Sequence, residues 1–510
     1  MIRTVPNQLR HEVSVLPEKN RIPTGVSGLD DILGGGLTAD RIYLVEGTPG
    51  SGKTTLALQF LLDGAHDGGT GLYVTLSETA SELRAVAASH GWQLENLELF
   101  ELVTEAGFDP DSEQTILHPA EIELGETTRR VMERVGELKP SRVVFDSLSE
   151  MRLLAQSPLR YRRQILALKH FFSNLNCTVL LLDDQTSEAG DLHLHSICHG
   201  VIRLDQTIQE FGGQRRRLQV VKMRGIKFRG GYHDFNLDTG GITVFPRLIA
   251  ASHLKEFSTE VETTGSKRLD ILLGGGLTSG TNTLLMGPSG VGKTTTAVRC
   301  MLSALQRGHK CAYYLFDEGL ATLTSRSAAL GMDVRPYIES GQLDLSQIDP
   351  AELSPGEFSV NVRKSVETGG AMFVVIDSLN AYLQAMPGEK FLLLQMHELL
   401  TYLNQQGVLT MLILGQHGVV GDMRSDVDLS YLSDTIMLFR FFEAQGRVLK
   451  AISVVKSRTC AHEQTIREFR LTSDGIEVGE PLTDFEGVLT GVPSYRGSMP
   501  MLGSKNDDRL

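Results

Sequence analysis

The sequence predicts an α/β protein made of two tandem phosphate-loop domains, each with a mostly parallel central sheet flanked by helices. Three observations predict it. The pattern G-x-x-x-x-G-K-[ST] occurs twice, in Gly47-Thr48-Pro49-Gly50-Ser51-Gly52-Lys53-Thr54-Thr55 and in Gly287-Pro288-Ser289-Gly290-Val291-Gly292-Lys293-Thr294-Thr295. The two lysines stand 240 residues apart (293 − 53), and landmarks outside the loops repeat at or near that spacing. Short apolar runs without polar alternation end in polar residues, the pattern of strands covered on both faces.

The elements of one half follow in order and recur in the other. A glycine run opens each, Gly34-Gly35-Gly36-Leu37 and Gly274-Gly275-Gly276-Leu277, again 240 apart (274 − 34). Ile42–Glu46 and Asn282–Met286 read as strands that enter the loops, and a helix follows each loop lysine. Leu72–Leu76 and Ala312–Phe316 are the next strands, ending beside Ser77-Glu78 and Asp317-Glu318. Arg142–Asp146 and Phe373–Asp377 are apolar runs closed by an aspartate, here 231 apart (377 − 146). The first half therefore carries extra residues, assigned to 105–126. Thr178–Leu182 and Thr410–Leu414 complete the series. Ligands of such sheets bind at the carboxyl ends of the strands, where these polar landmarks gather. The expected division is an N-terminal extension over 1–20, a first domain over 21–250, a second over 251–484, and a tail over 485–510. That tail, rich in Gly, Ser and Pro, is expected to be mobile.

With 510 residues the chain accommodates two such domains, and 41% hydrophobic with 22% charged residues is ordinary for a globular protein. A net charge of −13 argues against nucleic acid as a partner. The five cysteines form no C-x-x-C pair and read as reduced thiols, not as a disulfide framework or a zinc site. No apolar run approaches the roughly 18 residues of a membrane span, and the first residues lack the apolar core of a signal peptide. The expectation is a cytoplasmic protein without membrane association.

Residues 47–55 and 287–295 are the candidate ATP-binding residues. Their glycines let backbone N–H groups converge on phosphates, while Lys53 and Lys293 neutralise the β/γ charge. The hydroxyls of Thr54 and Thr294 suit Mg²⁺, and Asp146 and Asp377 are the candidate carboxylates of the same metal sites. Capping of the next helix is the alternative for both aspartates. Glu78 and Glu318, just past the second strand of each half, are candidate catalytic acids that orient the attacking water. Asp317 adds a neighbouring acid where the first half has Ser77. A solvated loop position is the alternative reading for these acids. Gln185 and Gln416 can sense a γ-phosphate through an amide hydrogen bond, or be ordinary loop polarity.

Lys222-x-Arg224 and Lys456-x-Arg458 recur late in each half, their lysines 234 apart (456 − 222). They are candidate catalytic cations delivered to the nucleotide of a neighbouring subunit; surface charge after an edge strand is the alternative. His193, His195 and His199 lack the partners of a metal site and have no counterpart in the second half. The basic runs Arg160 to Arg163 and Arg215 to Arg217 read as solvated or interface faces.

Taken together, these features resemble the KaiC family. The resemblance covers roughly residues 20–490. It is carried by the duplicated loop, Gly-Gly-Gly-Leu before each loop, Asp146-Ser147 and Asp377-Ser378, and Lys222-Met223-Arg224-Gly225. It implies RecA-like domains in a homo-hexamer of two stacked rings, with ATP and Mg²⁺ at the subunit interfaces. It further implies slow ATP hydrolysis, mainly in the first domain, and serine/threonine autokinase and autophosphatase activity in the second. The family's acceptor is an adjacent Ser-Thr pair; here Ser430 matches the serine and Tyr431 replaces the threonine, with Ser425 and Asp426 matching a nearby Thr-Asp. The family's paired glutamates correspond to Ser77-Glu78 and Asp317-Glu318. Neither the segment after Asp484 nor residues 108–119 match the family's partner-binding segments. The expected partners are signalling proteins, KaiB-like ones among them, outside a full circadian oscillator. Two other readings stay open at this point: a DNA-dependent ATPase of the RecA or RadA kind, and a nucleotide-gated scaffold with negligible turnover.

Overall fold

A computed structural model describes residues 21–66, 68–102, 119–155, 157–184, 192–208, 212–384, 391–416, 430–444, 446–473, 475–490 and 494–495. The expected extension over 1–20, Gln185, Ser425, Asp426, residues 108–118 and most of the tail lie outside the described residues. The main division into two compact units falls between Arg247 and Leu248.

The first unit is built on a nine-stranded sheet. Its strands are β1 (Ile42–Gly47), β2 (Gly71–Thr75), β3 (Leu97–Glu101), β4 (Arg142–Asp146), β5 (Thr178–Asp183), β6 (Gly200–Thr207), β7 (Arg215–Met223), β8 (Tyr232–Asp238) and β9 (Gly241–Phe245). The order is β9-β8-β7-β6-β1-β5-β4-β2-β3. The six strands from β6 to β3 in that order are parallel, and β7, β8 and β9 extend the sheet antiparallel. The second unit repeats the plan with β10 (Asn282–Gly287), β11 (Lys310–Leu315), β12 (Leu343–Gln347), β13 (Ala371–Asp377), β14 (Leu409–Gly415), β15 (Thr435–Ala444), β16 (Arg447–Ser457), β17 (Arg467–Thr472) and β18 (Gly475–Pro481). Its order, β18-β17-β16-β15-β10-β14-β13-β11-β12, is the same. These are two tandem RecA-like domains.

The continuous apolar strands are explained by two cores in each unit. Along β1, Tyr43 and Val45 pack with Phe60 and Leu61 of the helix Lys53–His66. Ile42 and Leu44 point the other way, to Ile165, Leu168 and Phe172 of the helix Pro158–Ser173. In β10, Leu285 joins Val298 and Met301 of the helix Lys293–Gln306, and Leu284 joins Met396 and Leu403 of the helix Leu392–Gln405. Each such side chain contributes roughly 1.5–3 kcal/mol on burial, so the central strand is the best-anchored part of each unit.

Two features depart from the sequence reading. The antiparallel strands were not anticipated, because β7 alternates buried and half-buried positions and carries Arg215, Arg216 and Arg217. Lys222 consequently lies in an interior strand, paired on both sides, not after an edge. The start of the tail is also ordered: Phe485–Glu486 pairs with Ser494–Tyr495, and Val488 is buried beside Phe442, Ala444 and Ala451. Apolar anchors hold the chain there against its Gly and Ser content.

The glycine runs have a geometric cause. Gly36 adopts φ 101°, and a Cβ there would stand 2.2 Å from the carbonyl oxygen of Ile22, on the strand Arg21–Ile22 that pairs with Leu37–Thr38. Gly276 repeats this with φ 143° and Glu262 at 2.4 Å. Gly35 also has positive φ, 107°, but open space around it. Gly35→Ala is therefore expected to cost about 1–2 kcal/mol through backbone strain alone, and Gly36→Ala clearly more because backbone must move. Calorimetric unfolding of both variants checks the ranking; equal losses would contradict it.

Candidate functional site

Both phosphate loops sit between the carboxyl end of a central strand and the first turn of a helix. The turn requires left-handed glycines, Gly50 and Gly52 at φ 80° and 101°, Gly290 and Gly292 at 76° and 117°. Each lysine folds back on its own loop. Lys53 Nζ donates to the carbonyls of Gly47 (2.8 Å) and Thr48 (3.0 Å), and Lys293 Nζ to those of Gly287 and Pro288 (both 2.8 Å). The remaining residues differ in setting. Thr48, Pro49, Gly50, Ser289 and Gly290 are exposed, whereas Ser51, Val291, Thr55 and Thr295 are buried beneath the turn. In the second unit a cavity of about 660 Å³ opens over the loop and is lined by Lys293, Thr294, Asp317, Glu318, Asp377 and Gln416, among others.

The strand-end aspartates meet the loops. Asp377 accepts hydrogen bonds from Thr294 Oγ1 (2.8 Å) and the Tyr313 hydroxyl (2.9 Å). Asp146 accepts one from the Tyr73 hydroxyl (2.5 Å), and that hydroxyl also meets Thr54. Burial raises both aspartates above the ordinary carboxylate range, opposed by these hydrogen bonds. A buried carboxylate beside a threonine hydroxyl fits Mg²⁺, which takes one or two protein oxygens and keeps phosphate and water ligands. No group of three or more His, Cys, Asp or Glu among the described residues forms a self-sufficient metal cage. The peptide bonds Asp146–Ser147 and Asp377–Ser378 are both cis.

The acids past the second strand differ between the units. Glu78 Oε2 is buried without a hydrogen-bond partner among the described residues, and burial, reinforced by Asp146, raises its carboxyl. Ser77 is exposed. Glu318 instead pairs with Arg326 at 2.8 Å, and Asp317 accepts a hydrogen bond from the Ser378 hydroxyl. Gln416 Oε1 is buried without a partner among the described residues.

The late cations are not brought to the loops of their own units. Lys222 Nζ donates to the carbonyls of His195 and Cys198, and Arg224 to that of Ser196 (2.7 Å). Lys456 Nζ donates to the carbonyls of Ser430 (2.7 Å) and Ser433 (2.6 Å), and Arg458 pairs with Asp434 at 3.4 Å. These segments lie at the amino ends of β1 and β10: His199 N–H reaches the Ile42 carbonyl, and Asp434 N–H that of Asn282. The loops are at the opposite, carboxyl ends.

Several site neighbours escaped the sequence reading. Asp184 pairs with Lys53 at 2.9 Å and is held by Ser149, where the second unit has Gly415 held by Asn380. Asp183-Asp184 at a strand end, where the second half has Leu414-Gly415, was the signal that could have found it. Tyr73, Tyr313 and Arg326 carry no motif. His195 reaches Glu46 at 2.8 Å, and Arg203 shares that carboxylate, so the histidine serves an ion cluster.

Burial lowers the Lys293 ammonium from the ordinary lysine range to about 8. Phosphates require the charged form, so nucleotide affinity at the second loop should fall as pH rises through 8, by about tenfold per pH unit. Titration of a Lys53→Ala variant with a non-hydrolysable ATP analogue across this range checks it. A flat profile would contradict it.

The chain matches the family model described as "ATPase: KaiC" twice, over residues 22–249 and 262–483. It is 26% identical over 494 residues to the circadian clock oscillator protein KaiC of Thermostichus vulcanus, covering 94% of this chain and 92% of that protein. It is 25% identical over 481 residues to the circadian clock protein KaiC3 of Synechocystis sp., covering 93% and 95%. Two KaiC matches in tandem, on two copies of one fold with one phosphate loop each, place this chain in the KaiC family of two-domain ATPases.

Proposed function

We propose that this protein is a Mg²⁺-dependent ATP-hydrolysing signalling enzyme that acts as a homo-hexamer of two stacked rings, with ATP held between subunits. The observation that carries this reading is the separation of parts within each unit. The phosphate loop lies at one end of the central strand, and the Lys-x-Arg pair lies at the other. A strand of six residues such as β10 spans about 17–20 Å. Lys222, Arg224, Lys456 and Arg458 therefore serve the nucleotide of a neighbouring copy, and Ser430 accepts a phosphoryl group from a neighbour's ATP. A closed ring supplies such an interface to every subunit.

In the first domain, residues 47–55 hold the phosphates, and Thr54 with Asp146 would hold Mg²⁺; Thr294 with Asp377 would do so in the second. An ion held by these residues would neutralise charge on the phosphates. Glu78 orients the attacking water and takes its proton, a task suited to a carboxyl raised by burial. In the second domain Asp317 and Glu318 flank the γ-phosphate, and Ser430 is the autokinase and autophosphatase site. Its phosphate adds about −1.5 to −2 charge close to Lys456 and Arg458, enough to rearrange an interface. That state is passed to protein partners in the cytoplasm, with KaiB-like proteins the first candidates given the clock names of the relatives.

Glu78→Gln is expected to lower phosphate release by about 10²-fold while nucleotide binding persists; unchanged turnover would remove Glu78 from the mechanism. Incubation with Mg²⁺ and γ-labelled ATP should label Ser430, and Ser430→Ala should abolish that label. Mass measured with and without ATP tests the ring. A monomer under both conditions would remove the cross-subunit roles.

A further inference from the structure

The two units diverge at the acids just past the second strand of each. Glu78 has a buried carboxylate oxygen with no partner among the described residues. Glu318 gives the corresponding oxygen to Arg326, and both residues line the cavity over the second loop. The neighbouring acid, Asp317, is engaged as well, by the Ser378 hydroxyl. Arg326 stands on the helix Leu320–Ala329, which repeats the helix Ala80–Ser89 at the same spacing of 240 residues as the loops. The residue at its position in the first unit is Val86 (326 − 240), which packs on the apolar core.

A base in hydrolysis must offer a lone pair to the water it orients. The P–O bond to the β,γ-bridging oxygen breaks, a bond from the water oxygen to the γ-phosphorus forms, and the water proton passes to the carboxylate. In transfer to a side-chain hydroxyl the same P–O bond breaks, a bond from the hydroxyl oxygen to the γ-phosphorus forms, and the hydroxyl proton passes to Asp317, the neighbouring carboxylate lining this cavity. An acid committed to a guanidinium through a charge-assisted hydrogen bond is less able to orient water. We propose that Arg326 is a positioning residue that holds Glu318 away from water, restraining hydrolysis at the second phosphate loop so that bound ATP is kept for transfer to a hydroxyl. Val86 imposes no such restraint on Glu78. The inference rests on the proposed reading of Glu78 and Glu318 as water-orienting acids. Arg326 and Glu318 are 43% and 21% exposed, and a pair this open to solvent is a weak restraint, so the effect is about tenfold and not an absolute block.

The test exchanges the two residues and isolates each site. Phosphate release and ATP KM are measured for Arg326→Val and Arg326→Lys with the first loop disabled by Lys53→Ala. They are measured for Val86→Arg with the second loop disabled by Lys293→Ala. Arg326→Val should raise kcat about tenfold with KM unchanged, Arg326→Lys should stay near the parent, and Val86→Arg should lower kcat by a similar factor. An unchanged or lower kcat in Arg326→Val overturns the proposal, as does a second loop silent in both parent and variant. A change confined to KM also overturns it, because Arg326 would then be a nucleotide contact. Glu318→Gln in the same background separates this from the underlying reading. If Glu318→Gln leaves phosphate release intact, Glu318 is not the acid and both fall; if it lowers release while Arg326→Val is neutral, only the restraint falls.

Discussion

Each half of this protein has to accommodate a buried ammonium group. Lys53 and Lys293 meet that constraint by folding back onto the first carbonyls of their own loops. The rest of each unit is what this arrangement needs. The loop must turn through left-handed glycines, start from a firmly packed strand, and end at the first turn of a helix. Two hydrophobic faces on β1 and β10 supply that packing. Because parallel strands end together at one edge, Asp146 and Asp377 arrive beside the loops without further device.

On this common frame the units are tuned differently. The first pairs its lysine with an acid, Asp184, and places Glu46, one residue before the loop, between His195 and Arg203. In the second, the register places Met286 opposite Leu438 where the first has Glu46 opposite Arg203, and Gly415 replaces Asp184. In the second unit Asp377 supports the charge of Lys293 against the cost of burial. Two loops of one pattern thus sit in unequal surroundings, a difference that the motif itself does not express.

Legibility followed the same line. The parallel part of each sheet was readable because doubly covered strands leave long apolar runs, as in Arg142–Asp146 and Phe373–Asp377. The duplication and the family were readable because glycines at positions 36 and 276 are forced by close backbone approach and so mark a fixed spacing. The antiparallel strands were not, since their half-exposed faces admit arginine and dilute the pattern. The ordered start of the tail was hidden for a related reason. Val488 has too few apolar neighbours in sequence to announce the pocket that receives it.

The sequence by itself determined the α/β class, the two phosphate loops, the acids at the strand ends and the family, because each depends on local backbone geometry or a short fixed spacing. Tertiary structure alone decided which acid is held by a guanidinium. Glu78 and Glu318 occupy one place in the repeat, yet Glu318 meets Arg326 of the following helix and Glu78 Oε2 has no hydrogen-bond partner among the described residues. Whether a carboxylate meets a guanidinium, a hydroxyl or nothing is set by packing, which no local pattern records. The same holds for Lys222 and Lys456: their spacing was visible, but only the folded sheet put them at the end opposite the loops.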